Sequence, residues 1–152
     1  MDRDDLAARF GDRFDQGLAT AMQGHRSLDT GVTGFLGVTH VELGPGWCVC
    51  ELEVTEALFN PAGVAHGGVT AALVDHTLGV TAMPVLPAGS WPATLEFKLN
   101  YLAPVRAGPL RAAGEVRAMS ARTAVVSVEC TNNDRVVALA QGTVAITPPK
   151  TA

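Results

Sequence analysis

The 152-residue chain reads as an α+β protein in which an antiparallel sheet of about six strands curls around one long central helix. Three observations predict this. From Gly67 the sequence "GGVTAALVDHTLGVTA" is apolar enough to be a core helix and long enough for several turns. Four alternating or valine-rich segments follow it, joined by the short links "APVRAGP", "SAR" and "NND". These links leave no room for crossover helices, so neighbouring strands are expected to pair antiparallel. A sheet with one helix to cover it must wrap that helix.

At the N-terminus, Leu6, Phe10, Phe14, Leu18 and Met22 recur every four residues across residues 2–23. This spacing predicts one amphipathic helix. Residues 33–43 and 47–55 read as two strands around the "GPG" turn at Gly44, Pro45 and Gly46. The segment "TLEFKLNYL" alternates, with Leu95, Phe97, Leu99 and Tyr101 on one side and Thr94, Glu96, Lys98 and Asn100 on the other. "PLRAAGEVRAM" turns Arg111, Glu115 and Arg117 outward, and "TAVVSVECT" and "RVVALAQGTVAI" complete the sheet. The division expected is a helical extension over residues 1–30 and a sheet-and-helix domain over 31–148.

Asp75 stands in the middle of the apolar helix, where burying an unpaired charge costs several kcal/mol. Gly68, Ala72, Asp75, Gly79 and Ala82 share one stripe, whose other members are all small, while Val69, Leu73, Val80 and Met83 suit the sheet. Such a stripe admits another backbone or a ligand. At the helix start, the N–H groups around Gly67 and Gly68 lack intrahelical partners and suit a developing negative charge. Eight residues of helix separate Gly67 from Asp75, roughly 12 Å along the axis. One short side chain cannot span that gap, so if both groups act on one substrate they come from two copies of the chain. The expected assembly is an obligate dimer with two composite sites.

Composition narrows the partners. The net charge is −4 with no basic run, which disfavours nucleic acid and anionic membranes. The longest apolar region, 69–86, is interrupted by Asp75, His76 and Pro84, against a membrane span. "MDRDDLAARF" has neither the basic start nor the apolar stretch of a secretion signal. The three cysteines, Cys48, Cys50 and Cys130, form no CxxC motif and read as buried thiols of a cytoplasmic protein. His25 and His40 have no metal-ligand partners at recognisable spacing, and His76 reads as a packed or interface histidine. No metal is expected.

The ordered set Asn60, His66, Gly67, Gly68 and Asp75 ("N-x6-HGG-x6-D"), with "TLEFKLNYLAPVRAG" and "SARTAVVSVECTNNDRVVALAQGTVAI", resembles the hotdog-fold acyl-CoA thioesterases. The similarity is to the phenylacetate-degradation (PaaI-like) group and covers roughly residues 33–147. It implies the hotdog fold, side-by-side dimers often assembled into tetramers, and hydrolysis of an acyl-CoA thioester without metal or organic cofactor. It implies that Asp75 is the catalytic carboxylate and that the Gly67 amide polarises the thioester carbonyl. Asn60 would orient thioester or water, His66 would line the site, and Thr94 would hold water near the carboxylate. Gly68, Arg106, Arg122 and Thr123 are the candidate contacts for CoA. The turn often read Gly-Arg in relatives is Ala121-Arg122 here, and Arg117 reads as an ordinary surface arginine.

Asp75 can serve as nucleophile or as general base. Aromatic acyl groups of the phenylacetyl type and medium-chain acyl groups both suit the resemblance. Two rival readings differ in class: a hotdog-fold enoyl-CoA hydratase or dehydratase, and a non-catalytic acyl-CoA binding module. The Asp-x4-His and His-Phe-Pro patterns of the first are absent, and intact Asn60, Gly67 and Asp75 argue against the second.

Overall fold

The computed structural model describes residues 1–24 and 31–149; His25 therefore lies outside the described residues. Helices α1 (Arg3–Phe10), α2 (Gln16–Met22) and α3 (Gly31–Leu36) precede strands β1 (Thr39–Gly44) and β2 (Trp47–Val54). The long helix α4 (Gly67–Ala82) follows, then β3 (Trp91–Tyr101), β4 (Gly108–Met119), β5 (Thr123–Asn132) and β6 (Arg135–Thr147). All six strands form one antiparallel sheet in the order β1-β2-β4-β5-β6-β3, and α4 packs on its inner face. This is the hotdog arrangement.

Four local expectations are corrected. The N-terminal segment is two helices, because a second cap interrupts the repeat of four. The Asp2 carboxylate accepts from the N–H groups of Asp4 and Asp5 at 3.1 and 3.2 Å, and that of Asp15 accepts from Leu18 at 2.8 Å. Both helices serve the main core: Leu6 and Phe10 of α1 belong to it, and Met22 of α2 packs against it.

Residues 33–38 are not strand. Helix α3 ends at Gly37, whose φ of +68° is the left-handed cap that glycine tolerates best.

Strands β3 and β4 are not neighbours; β3 pairs with β6 and forms an edge of the sheet. The link between them crosses the end of the sheet, held by the buried Asn132. Its Oδ1 accepts from the Arg106 amide at 2.9 Å, and its Nδ2 donates to the carbonyls of Arg106 and Pro109 at 3.2 and 2.9 Å.

Finally, a β-bulge between Thr94 and Glu96 breaks the alternation of β3. Thr94 pairs with the fully buried Val144 and Phe97 with Gly142. Opposite residues share a face, so Thr94 looks toward the helix with Phe97, while Glu96, Lys98 and Asn100 look away.

The core joins Leu73, Val74 and Leu78 of α4 to Cys48, Cys50, Leu52, Leu110, Val116, Val126 and Val128 of the sheet. Two glycines set how close the helix lies. A Cβ on Gly114 would run into the Thr81 side chain, and one on Gly142 would stand 2.8 Å from Leu78. The buried threonines of α4 cost nothing in lost hydrogen bonds, since Thr77 and Thr81 donate to the carbonyls one turn back at 2.7 and 2.6 Å. Among the described residues, no helix is long and apolar enough to cross a membrane.

Candidate active site

The loop before α4 is built to present the helix start. A bridge between Phe59 and Ala65 closes it. Within it Asn60 folds the chain into a tight turn: its N–H donates to Val64 at 2.8 Å and its Oδ1 accepts from the Ala62 amide at 2.8 Å. With Oδ1 engaged, the Asn60 Nδ2 is the group left to donate. The Ala65 N–H reaches the Val105 carbonyl at 2.9 Å, which pins the loop to the crossover carrying Arg106.

His66 caps the helix. Its Nδ1 accepts from the Gly68 amide at 3.0 Å, so in the neutral ring the proton sits on Nε2. The Gly67 N–H has no acceptor among the described residues, as expected for the first donor of a helix. Tyr101, which sequence reasoning placed only among the apolar residues of β3, donates from Oη to the Gly67 carbonyl at 2.9 Å. A side chain at position 67 would approach that ring to 3.2 Å. A cavity of about 330 Å³ opens beside this turn, lined by Gly67, Thr70, Tyr101, Leu102 and Val105 among others.

Asp75 is exposed on the protomer, which corrects the picture of a carboxylate buried in an apolar run. The buried sides of α4 are those of Val69, Leu73 and Val80 and of Thr70, Val74, Thr77, Leu78 and Thr81. Gly68, Ala72 and Gly79 share the open stripe with Asp75, and Ala82 at its end is buried. Gly67 lies against Tyr101 and Gly79 against Pro92, so α4 and the edge strand run side by side in opposite directions. Interpolating by helix and strand rise puts Asp75 level with about residue 95. The bulge therefore turns Thr94 to the helix side at the height of Asp75. Around it Leu95, Trp91, Tyr101 and Leu102 are more than half exposed, at 61%, 63%, 56% and 53%.

The remaining candidates divide between the two ends of the sheet. Arg106 lies at the Gly67 end. Arg122 and Thr123 lie beyond the far end of β4, roughly 35 Å away at strand rise. Thr123 there closes a turn with Ser120, hydroxyl to hydroxyl at 3.0 Å. Neither Arg106 nor Arg122 is ion-paired among the described residues, whereas Arg117 pairs with Glu115.

One cluster escaped sequence reasoning. The bulge between His40 and Glu42 sets His40 opposite Cys50, and His76 of α4 meets His40 Nε2 to Nε2 at 2.8 Å. Burial first, and then His40, pull the His76 pKa down to about 4, while Asp75 acts in the other direction. All three cysteines are buried. Burial and then Cys50 hold the Cys48 thiol well above its ordinary range, and burial and then Glu129 push Cys130 up to about 12.

Comparison with known proteins bears on what this arrangement does. The thioesterase superfamily pattern matches residues 62–139. Human acyl-coenzyme A thioesterase 13 is 30% identical over 106 residues, 69% of this chain and 75% of its own. The 1,4-dihydroxy-2-naphthoyl-CoA hydrolase of Listeria monocytogenes is 28% identical over 117 residues, 76% of this chain and 95% of its own. Among solved structures, a mutant of the phenylacetic acid degradation protein PaaI from Thermus thermophilus superposes with a TM-score of 0.67. It is 31% identical, and the match covers 74% of this chain and 95% of that one.

Proposed function

Since the chain belongs to the thioesterase superfamily and is a PaaI-like hotdog thioester hydrolase, we infer that two copies share each site, the Gly67 amide of one facing Asp75 of the other. The observation that carries this reading is the open stripe of Gly68, Ala72, Asp75 and Gly79, which starts at the turn carrying the Gly67 N–H and leaves the Asp75 carboxylate exposed. The unpartnered Gly67 N–H and the exposed Asp75 carboxylate stand about 12 Å apart by helix rise, too far for one substrate carbonyl. An antiparallel second copy of α4 along the glycine and alanine stripe closes that gap. The exposed apolar residues of β3 support the same contact, because an unpaired edge strand with large apolar side chains is a ready interface. Further association of such dimers into a tetramer follows the family pattern.

The chemistry then follows. The thioester oxygen takes a hydrogen bond from the Gly67 N–H at the positive end of α4, so negative charge developing there is stabilised. As general base, the Asp75 carboxylate takes a proton from water as its oxygen bonds to the carbonyl carbon. The tetrahedral intermediate then expels CoA thiolate by breaking the C–S bond, and the thiolate takes the proton back. As nucleophile, an Asp75 oxygen bonds to that carbon and expels the thiolate. Water then hydrolyses the anhydride. Thr94 stands on the helix side at the right height to hold the water, and the Asn60 Nδ2 and His66 Nε2–H are donors at the Gly67 end. Arg106 is the CoA phosphate contact that the same protomer offers beside Gly67. Arg122 and Thr123 reach that nucleotide only from a different copy.

For the acyl group we favour an aromatic over a medium-chain acid. Two similar proteins carry aromatic names, a naphthoyl-CoA hydrolase and a phenylacetic acid degradation protein, and the cavity at Gly67 is walled by Tyr101, Leu102 and Val105. The test is thiol release from phenylacetyl-, hydroxybenzoyl- and octanoyl-CoA by wild type and Asp75→Asn, with mass measured by light scattering. A loss of about 10²-fold or more with the assembly intact is expected. Equal turnover in the two proteins, or full activity in a monomer, overturns the shared site. Single turnover in ¹⁸O-water tests the nucleophile route, since label enters Asp75 only when an anhydride forms and water opens it at the Asp75 carboxyl carbon.

A further inference from the structure

We propose that His40, His76 and Cys50 form a zinc-class metal site that staples the β1–β2 hairpin to the central helix, away from the reacting groups. Three donors of this kind rarely converge without cause, and here they come from three separate elements. One ring nitrogen each of His40 and His76 and the Sγ of Cys50 all lie within 4.8 Å of one another. His40 and Cys50 are buried and His76 is half-buried, so the point they surround is largely screened from bulk water yet reachable past His76.

The hydrogen bond behind His40 is that of a ligating imidazole. The Met22 carbonyl lies 3.1 Å from His40 Nδ1 and can only accept, so that nitrogen carries the proton and Nε2 turns its lone pair inward. A backbone carbonyl behind a ligating imidazole fixes tautomer and direction in this way. The two rings lie nearly parallel, at 13°, with their Nε2 atoms facing. Bonds of about 2.0–2.1 Å to nitrogen at a tetrahedral angle require about 3.3 Å between the two nitrogens. The observed 2.8 Å thus needs an opening of about half an ångström, and the facing rings must turn so that both Nε2 atoms point at the ion. Sulfur and nitrogen would close to about 3.5 Å, given a zinc–sulfur bond of about 2.3 Å. Among the described residues the Cys50 sulfur makes only a long contact with Cys48, at 3.9 Å.

Two imidazoles and a thiolate select zinc, or cobalt in its place, over magnesium or calcium. Three protein ligands leave a fourth position for water entering past His76. On binding, Cys50 gives up its thiol proton to solvent. His76 moves its own from Nε2 to Nδ1, so one proton is released per ion. Because His76 points about 100° around the helix from Asp75, the ion holds the scaffold and takes no part in hydrolysis.

The test is titration of the chelator-treated full-length protein with Co²⁺. Expected is a saturable thiolate-to-cobalt absorption at one ion per chain, displaced by Zn²⁺ and accompanied by a rise in thermal midpoint. It disappears in Cys50→Ser, weakens at least tenfold in affinity in His76→Gln, and persists in Cys130→Ser. No thiolate band in the wild type at saturating cobalt overturns the site. So does a band that survives Cys50→Ser, or one that follows Cys130. If Cys50→Ser fails to fold, the wild-type and His76→Gln titrations decide the matter.

Discussion

Acid should destabilise this protein through His76, and the size of the effect follows from its surroundings. Burial, then the neighbouring His40, hold the folded-state pKa at about 4, against 6.5 for the free side chain. The folded pKa is the lower one, so the unfolded chain binds the proton first as pH falls. Stability is fully present above about 6.5, drains away between 6.5 and 4, and loses nothing more below that. Going from pH 7.5 to 4.5, a shift of this size removes up to about 2.5 kcal/mol, at 1.36 kcal/mol per pKa unit. Because the ring is partly exposed, solvent screening reduces this to about 1–2 kcal/mol. The perturbation is His76→Gln, which keeps a hydrogen-bonding group near His40 and cannot titrate. Urea unfolding of both metal-free proteins at the two pH values isolates the ring together with its coupling to His40 and Asp75, since the carboxylates and histidines that do not face it cancel in the difference. The advantage of wild type over the variant should shrink by that amount on acidification. An advantage that stays constant to within about 0.5 kcal/mol would refute the assigned cause.

Other predictions concern the reacting end of the molecule. Gly67→Ala places a methyl group 3.2 Å from the Tyr101 ring where the thioester must approach, and kcat/KM should drop about 10²-fold with little change in far-UV circular dichroism. Tyr101→Phe deletes the 2.9 Å hydrogen bond to the Gly67 carbonyl; a cost of about 1 kcal/mol in denaturant unfolding is expected, with a several-fold lower kcat. Thr94→Val keeps the shape and removes the hydroxyl, so kcat should decrease about tenfold at unchanged KM if this side chain holds the water; an unaltered kcat removes it from the site.

How much of this could be read without coordinates depends on what each feature rests on. The helix α4 and the last four strands depend on local periodicity and on turns such as Asn133-Asp134, whose positive φ of 50° and 61° marks a tight hairpin. Such signals are carried by neighbouring residues and were legible. The Asn60–Gly67 loop was legible through a motif resemblance. What failed was everything decided by one extra residue or by distant pairing. A spacing of four through the first 22 residues looks like one helix until Asp15 offers a second cap. Strands β3 and β4 are adjacent in the chain and apart in the sheet, because Asn132, far along the sequence, latches the crossover between them.

The bulges show why face assignments are the weakest product of a pattern. A strand alternates with period two, so a single inserted residue exchanges the faces of everything beyond it. In β3 the extra residue moves Thr94 from the solvent side of the pattern to the helix side, where it stands level with Asp75. In β1 the extra residue brings His40 rather than Val41 opposite Cys50, and with that creates the cluster with His76. Both bulges lie in edge strands, where an unpaired residue disturbs one ladder only. They also stand on the two sides of the same helix segment, Thr94 beside Asp75 and His40 against His76. Further irregularities interrupt the β4–β5 and β5–β6 pairings, but these two are the ones that flank α4 at Asp75 and His76. Moving the β3 bulge by one residue should lower turnover without touching cobalt binding, and moving the β1 bulge should do the reverse, if both proposals hold.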